Sequence, residues 1–228
     1  MIEELNIRHA TTDDIDFVIE TIFESEKSGS GMISSCKIFG ITENRFENIL
    51  REILCENIPD YDYYLSGFLI AEKNGEYVGA IGSWLEAADG TPSGFVKTTI
   101  LYPFLDRDKM KEINKNVSLI KELTINRKPG ALQLEYEYTR DQFRRQGVLS
   151  QLIRESILMN MKRYDRIEKV QVALLKANLK SFDAHIKLGF TIVEEKHTEN
   201  PEIFKFFPFN TKVLLEINKE DLPRLLFD

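Results

Sequence analysis

Hydrophobic and polar positions along this chain repeat with two periods, and the switches between them outline its elements. Near the start, LNIRHA alternates as a strand does. From Ile15 the spacing becomes helical: Ile15, Val18, Ile19 and Ile22 recur on one face. Thr12 is the expected N-cap, and Asp13 and Asp14 suit the positive helix end. SEKSGSGMISS reads as a loop, and ENRFENILREILCEN as a second helix through Phe46, Ile49, Leu50 and Ile53. FLIAEKNGEYVGAIGSWLE gives two strands around Asn74-Gly75, a pair that supplies the positive φ angles of a tight hairpin. Residues 86–130 follow neither period. They hold a Gly/Pro/Ser loop, DGTPSG, and a charged helical piece, DRDKMKEINKNVSLIKEL, and read as an insertion within one domain.

The second half is more regular. ALQLEYEYT places Leu132, Leu134, Tyr136 and Tyr138 on one face, and Gln133, Glu135, Glu137 and Thr139 on the other. After RDQFRRQG, a helix carries Leu149, Leu152, Ile153, Ile157 and Met161. KVQVALLK reads as a strand, NLKSFDAHIKLG as a short helix ending at Gly189, and FTIVEEKH and TKVLLEINK as two closing strands. No repeat or low-complexity segment interrupts this order, which predicts an α+β mixed fold with crossovers in the C-terminal half.

The 228 residues suit one domain, and 43% hydrophobic content supports a sizeable core rather than disorder. A net charge of −7 argues against partners such as nucleic acid or an anionic membrane, whose binding needs a basic surface. Cys36 and Cys55 form no CxxC or Cys/His cluster, so they read as reduced thiols of a cytoplasmic protein with no metal site. The acidic N-terminal stretch lacks an apolar h-region, so no signal peptide is expected, and no apolar run reaches membrane-spanning length.

Candidate chemistry centres on FRRQGVLSQLI, Phe143 to Ile153. A strand that feeds a turn and then a helix start makes an anion site, because the first helical N–H groups lack internal partners and carry partial positive charge. Gly147 lets backbone approach a ligand closely, and Arg144 and Arg145 add donors and charge, so a pyrophosphate fits such a nest. The chain has no GxxxxGK and no GxGxxG here, so a nucleoside triphosphate or Rossmann cofactor is not indicated. The plainer reading is a solvated basic helix start with a turn glycine.

NLKSFDAHIKLGF lies one helix and one strand further on, and together these segments resemble the GNAT superfamily of N-acetyltransferases, which use acyl-CoA. Arg144, Gly147 and Leu149 occupy the slots of that family's phosphate signature, Arg/Gln-x-x-Gly-x-Gly/Ala, with Leu149 where the family has Gly or Ala. Asn178, Ser181, His185, Gly189 and Phe190 fall in register with its later signature, and His185 stands where many members have Tyr. LNIRHATTDDIDFV is similar to the family's opening strand and helix, and AEKNGEYVGAIGSW to its second and third strands. The resemblance covers most of the chain outside about 27–60 and 86–130. It implies a central mixed, mostly antiparallel sheet of about six to seven strands, flanked by helices and splayed between the fourth and fifth. It also implies acetyl-CoA as cosubstrate.

By that resemblance, Tyr138, Thr139 and Arg140 lie on the splayed strand, where backbone N–H groups bind pantetheine and polarise the thioester carbonyl. Arg144, Arg145, Gln146, Gly147, Val148, Leu149 and Ser150 form the pyrophosphate turn. Asn178 either contacts the pantetheine arm or caps its own helix. His185 occupies the position of the residue usually assigned to protonate the leaving thiolate; an imidazolium can do this near neutral pH, and the alternative is a packing histidine. An acceptor ammonium has a pKa near ~10.4 against ~4.3 for a glutamate, so Glu135, ahead of Glu137, acts as base only if burial raises its pKa or a water relays the proton. A water-facing side of an edge strand is the plainer reading of this acidic face. Trp84, Phe95 and Tyr102 read as core aromatics, or else as lining of an acceptor pocket.

The expected function is N-acetyl transfer from acetyl-CoA to a small-molecule or peptide amine, with the acceptor chosen by segments 27–60 and 86–130, since specificity resides on loops. A homodimer is left open. The rival is a catalytically weak acyl-CoA-binding regulatory or sensor module, motivated by Leu149 and His185. A nucleic-acid-binding domain built on the basic turn is disfavoured by the charge.

Overall fold

The Asn74-Gly75 pair turns the chain as its sequence predicts. In the computed structural model of this protein, which describes residues 5–227, these two residues have φ of 53° and 77°, the positive pair that a tight hairpin requires. The flanking strands, β2 (Phe68–Lys73) and β3 (Glu76–Leu85), pair antiparallel. β1 (Asn6–His9) joins β2, and β4 (Leu132–Thr139) joins the other edge of β3. β5 (Lys169–Leu175), β6 (Thr191–His197) and β7 (Thr211–Asn218) complete a seven-stranded sheet of order β1-β2-β3-β4-β5-β7-β6. Neighbours are antiparallel except for β4 and β5, which run parallel. This is the α+β, mostly antiparallel architecture that the sequence predicts.

One face of the sheet is covered by α1 (Ile15–Lys27) and α3 (Glu43–Glu56). Ile15, Val18, Ile19 and Ile22 of α1 are buried as their spacing demands, and so are Phe46, Ile49, Leu50 and Ile53 of α3. The start of α1 differs from expectation. Thr12 does not cap it but opens a 3-10 turn over Thr12–Asp14. The buried Asp14 carboxylate accepts from the Thr11 N–H at 2.8 Å, from Arg8 at 2.7 and 2.8 Å and from the Tyr77 hydroxyl at 2.8 Å. Asp14 is spent as a hub joining β1, β3 and the helix start, which moves the cap one residue upstream. Within the loop read before α3, the end folds into α2 (Ser34–Phe39).

The opposite face is covered by α6 (Val148–Arg163) through Val148, Leu152, Ile153 and Ile157, and by α7 (Leu179–Lys187), which ends before Gly189 at φ 95°. A last helix, α8 (Leu222–Phe227), which periodicity missed, adds Leu222 and Leu225 to this core. Residues 86–130 are more ordered than their sequence suggests. The loop read at DGTPSG runs into α4 (Ser93–Leu101), and the charged piece forms α5 (Arg107–Lys121). Only Ser93 and Leu101 of α4 are buried, so it has no apolar stripe for periodicity to detect.

Two features of β4 position the site. Its ladder with β5 holds the pairs Leu132–Val170, Gln133–Gln171 and Leu134–Val172 and stops there, although β4 continues to Thr139 and β5 to Leu175. The strands part at that point, as predicted. On the other side, Gly82 of β3 opposes Glu135 and Ala80 opposes Tyr138, so β4 holds an extra residue. Tyr136, with φ 53°, carries this bulge. Leu132 and Leu134 pack toward α6, whereas Tyr136 and Tyr138 pack toward α1. The alternation expected along the whole strand therefore fails after Glu135, and the four apolar positions do not share one face.

Candidate active site

β4 leaves the sheet through a 3-10 turn, Asp141–Phe143, and then the Arg144–Gly147 corner. The Arg140 N–H donates to the Val78 carbonyl at 3.0 Å, toward β3. Successive strand N–H groups point to opposite edges, so that of Thr139 faces the gap between β4 and β5. Arg145 and Gly147 are both left-handed, with φ of 61° and 82°. They fold the chain onto the start of α6, where Gly147 is the cap position and no side chain caps the helix. The N–H groups of Val148, Leu149 and Ser150 thus have no acceptor within the helix.

A Cβ built on Gly147 meets no atom within 4 Å, so glycine serves the backbone angle and leaves the helix mouth open. Gly79 is the opposite case. A Cβ there would lie 2.7 Å from the Tyr138 carbonyl oxygen and 3.1 Å from Val148 Cγ1, so β3, β4 and α6 meet only across a glycine.

The side chains of the corner divide into two groups. Arg144, Arg145 and Gln146 are exposed around the mouth, Val148 is buried as its anchor, and Leu149 and Ser150 are half-buried. Arg144 Nε donates to the Thr139 carbonyl at 3.0 Å, and its guanidinium pairs with Asp141 at 2.7 Å. Gln146 Nε2 donates to the Gln142 carbonyl at 2.9 Å. Arg140 turns away, to Glu20 at 2.8 Å and over the Phe17 ring. Thr139 Oγ1 is buried without a hydrogen-bond partner. Asn178 opens α7 with its carbonyl, which accepts from the Phe182 N–H at 3.0 Å, and its side chain makes no capping bond. The capping alternative for that amide is therefore not realised.

The bulge separates the two glutamates that the alternation placed on one face. Glu137 points to α7, where its Oε1 lies 2.9 Å from His185 Nε2 and its Oε2 lies 3.5 Å from Ser181 Oγ. His185 is fully buried, donates from Nδ1 to the Ser181 carbonyl at 2.8 Å and meets the Phe190 ring edge-on at 5.2 Å. Burial pushes its pKa down, but the Glu137 charge and hydrogen bond, with the Ser181 carbonyl, outweigh that and hold it above the ordinary histidine value. In the charged form each ring nitrogen carries a proton and has an acceptor.

Glu135 points to the opposite side, among residues from the 86–130 insertion and the segment before β2. Arg127 donates to its Oε1 and lies over the Trp84 ring at 4.8 Å. Buried Glu86 accepts from Trp84 Nε1 at 3.1 Å and from the Ser93 N–H at 2.9 Å. Beside them, Lys97 Nζ reaches Asp62 Oδ2 at 2.6 Å, and the Tyr136 hydroxyl lies 3.3 Å from the same oxygen. Burial pushes the Asp62 carboxyl up, yet Lys97 and Arg127 more than offset it, so its pKa lies below the ordinary value. Burial pushes the Tyr63 hydroxyl up to about 12. Tyr61 and Tyr63 hydroxyls and Asp62 Oδ1 are buried with no hydrogen-bond partner.

Sequence reasoning missed Asp62, Lys97 and Arg127. They lie in segments without hydrophobic period, and the sole local signal is the tyrosine cluster around Asp62. Trp84 is buried as expected, but Phe95 and Tyr102 are 67% and 59% exposed and so are not core. Cys36 and Cys55 are free thiols. Among the described residues, no cluster of His, Cys, Asp or Glu is arranged to hold a metal ion, and no helix is long and apolar enough to cross a membrane.

No family model matches this chain, and no curated protein does. Solved structures do match. An N-acetyltransferase from Staphylococcus aureus, 12% identical, aligns over 93% of this chain and 100% of its own with a TM-score of 0.60. The aminoglycoside acetyltransferase AAC(6')-Ib, solved with coenzyme A and kanamycin, is 13% identical over 97% of this chain and 98% of its own, with a TM-score of 0.52. A GNAT-family acetyltransferase from Staphylococcus aureus is 14% identical over 94% and 99%, also at 0.52. At such identities the likeness is one of fold. With its parted β4 and β5 and the uncapped helix behind them, the chain has the fold of the GNAT N-acetyltransferases.

Proposed function

We propose that this chain is an N-acetyltransferase that moves an acetyl group from acetyl-CoA to an amine. One adjacency carries the reading: β4 and β5 part after Leu134 and Val172, and the same β4 strand leads through the left-handed corner to the uncapped start of α6. A thiol on a long arm ending in pyrophosphate needs both features, a slot between strands and a nest of N–H groups. The residues fit that ligand. The N–H groups of Val148, Leu149 and Ser150, with Arg144, Arg145 and Gln146 around Gly147, suit the phosphates. At the strand end Tyr138–Thr139–Arg140, the Thr139 N–H that faces the gap, with the uncommitted amide of Asn178, suits the arm, while the Arg140 N–H and side chain are taken up by Val78 and Glu20. Acetyl-CoA supplies an activated thioester.

The chain's own residues supply the rest. The Thr139 N–H, facing the gap, polarises a carbonyl placed there. An acceptor ammonium loses two protons overall as its C–N bond forms and the C–S bond breaks. One leaves to solvent through Glu135, by way of a water because Arg127 holds Oε1. The other is balanced by a proton reaching sulfur, which we assign to the Glu137–His185 pair. His185 Nε2 faces Glu137 and Nδ1 faces the Ser181 carbonyl, so a ring proton reaches sulfur only by passing to the Glu137 carboxylate, which then donates it.

Complete burial of His185 favours one rival, an acyl-CoA-binding module with slow turnover. Thiol release from acetyl-CoA across an amine panel, with acetylated product read by mass, separates them. Acceptor-dependent release supports the enzyme. Binding of acetyl-CoA without acceptor-dependent release supports the module, and absence of both sinks the reading.

A further inference from the structure

On the Glu135 side of the sheet, Lys212 is a charge without a counter-ion. It is the second residue of β7, opposite Leu175 of β5. By strand alternation it shares a face with Glu216, which accepts from Gln171 at 2.7 Å; Gln171 in turn accepts from Gln133 at 2.9 Å. Gln133 and Glu135 lie on one face of β4 before the bulge, so Lys212 and Glu135 belong to one wall. Lys212 is only partly exposed, and its Nζ takes part in no hydrogen bond or ion pair. Burial pushes its pKa down; Glu135 and Glu26 pull it up, while Arg127 and Lys97 push it down.

The nearby carboxylates are, by contrast, already held. Asp62 has Lys97, Glu135 has Arg127, and Glu26 accepts from the Ser35 N–H at 2.9 Å and hydroxyl at 2.5 Å. A desolvated ammonium without an anion is costly unless a ligand supplies one. The segment before β2, whose Asp62 pairs with the Lys97 that also acts on Lys212, offers the complementary half. Asp62 Oδ1 and the hydroxyls of Tyr61 and Tyr63 are unpartnered, in residues only 3%, 1% and 0% exposed. Together they hold acceptors for one N–H-bearing group and, in Lys212, a cation with no anion of its own.

We propose that the acceptor is an amine that also carries a free carboxylate, such as an α-amino acid, its carboxylate on Lys212 and its amine at Asp62 and the tyrosine hydroxyls. This deepens the N-acetyltransferase reading and rests on it. A monoanion matches one lone ammonium. A polyamine would bring its further ammonium groups against Lys97, Arg127 and Lys212, with Glu135 and Glu26 already engaged.

The test uses acceptor pairs that differ only in the carboxylate: α-amino acids against their decarboxylated amines, followed by thiol release from acetyl-CoA. A hydrogen bond to a charged group predicts that at least one amino acid exceeds its amine in kcat/KM by about 10- to 150-fold. Lys212→Met should bring that ratio toward one, and Lys212→Arg should recover most of it. Melting curves establish that each variant is folded; if Lys212→Met is not, the wild-type ratio decides. A ratio near one in wild type, or one unchanged in folded Lys212→Met, overturns the inference and leaves acetyl transfer standing. So does turnover of amines with no amino acid among them, whereas acetyl-CoA binding with turnover of no acceptor removes the acetyltransferase reading and this inference with it. A protein that binds no acetyl-CoA loses both readings.

Discussion

His185 Nε2 lies 2.9 Å from Glu137 Oε1, inside a ring environment closed to solvent. That contact joins β4, just past its bulge, to α7 across the place where β4 and β5 part. Because the folded pKa of His185 is raised above its ordinary value of 6.5, the pair's contribution to stability is complete below that pH and is lost as pH rises through the folded pKa. Melting temperature should decline through that window in the wild type. Glu137→Gln should flatten the decline and cost about 1–3 kcal/mol at its acidic end. Parallel pH–melting profiles for the two proteins would contradict the pairing.

Turnover offers a separate test of the same pair. If it supplies the proton to sulfur, His185→Ala should lower kcat by about 10²- to 10⁴-fold with acetyl-CoA affinity nearly unchanged. His185→Tyr should keep part of the rate and alter the alkaline limb of the pH–rate profile. A loss of about tenfold or less, with all three profiles alike, makes His185 a packing residue.

The helix mouth separates binding from folding. Arg144 is exposed, so Arg144→Ala should change stability by no more than about 0.5 kcal/mol. It should still weaken CoA by about tenfold, through loss of a charge-assisted contact. Gly147→Val meets no protein atom, so its folding cost is the left-handed backbone, about 1–2 kcal/mol. Its effect on CoA affinity should be the larger one. Calorimetric titration and urea unfolding on both variants check this, and wild-type affinity in both would reduce the corner to a simple turn.

Lys97→Met would leave Asp62 buried and unpaired, a loss of about 3–5 kcal/mol. Adding Asp62→Asn should return part of it, because the orphaned charge is gone. Urea midpoints of the single and double variants measure the coupling, and strict additivity would show that the two residues do not interact.

The hairpin at Asn74-Gly75, the buried stripes of α1 and α3, and the parting of β4 and β5 were legible in the sequence. The first two depend on local spacing and turn chemistry, and the third on a resemblance carried by Arg144, Gly147 and the residues from Asn178 to Phe190. The bulge at Tyr136 was not legible. One residue in a left-handed conformation reverses the facing of everything after it, and nothing in an alternating run such as LEYEYT marks that residue. Glu135 and Glu137 consequently looked like neighbours and have different partners. Asp62, Lys97, Arg127 and Lys212 meet only in three dimensions; three of them come from stretches whose backbone is set by tertiary packing. Thr12 failed as a cap because the Arg8 and Tyr77 contacts that fix Asp14 are formed through β1 and β3.

Thermal denaturation with acetyl-CoA, CoA, ATP and NAD tests the central claim most directly, since it needs no acceptor. A ligand held at the α6 mouth and in the β4–β5 gap binds only the folded chain. At 100-fold over Kd it should stabilise by about 2.7 kcal/mol, which for this length is a rise of about 5–10 °C. Acetyl-CoA and CoA should give that rise, and ATP and NAD much less. No rise with saturating acetyl-CoA and CoA, or an equal one with ATP, would contradict the account.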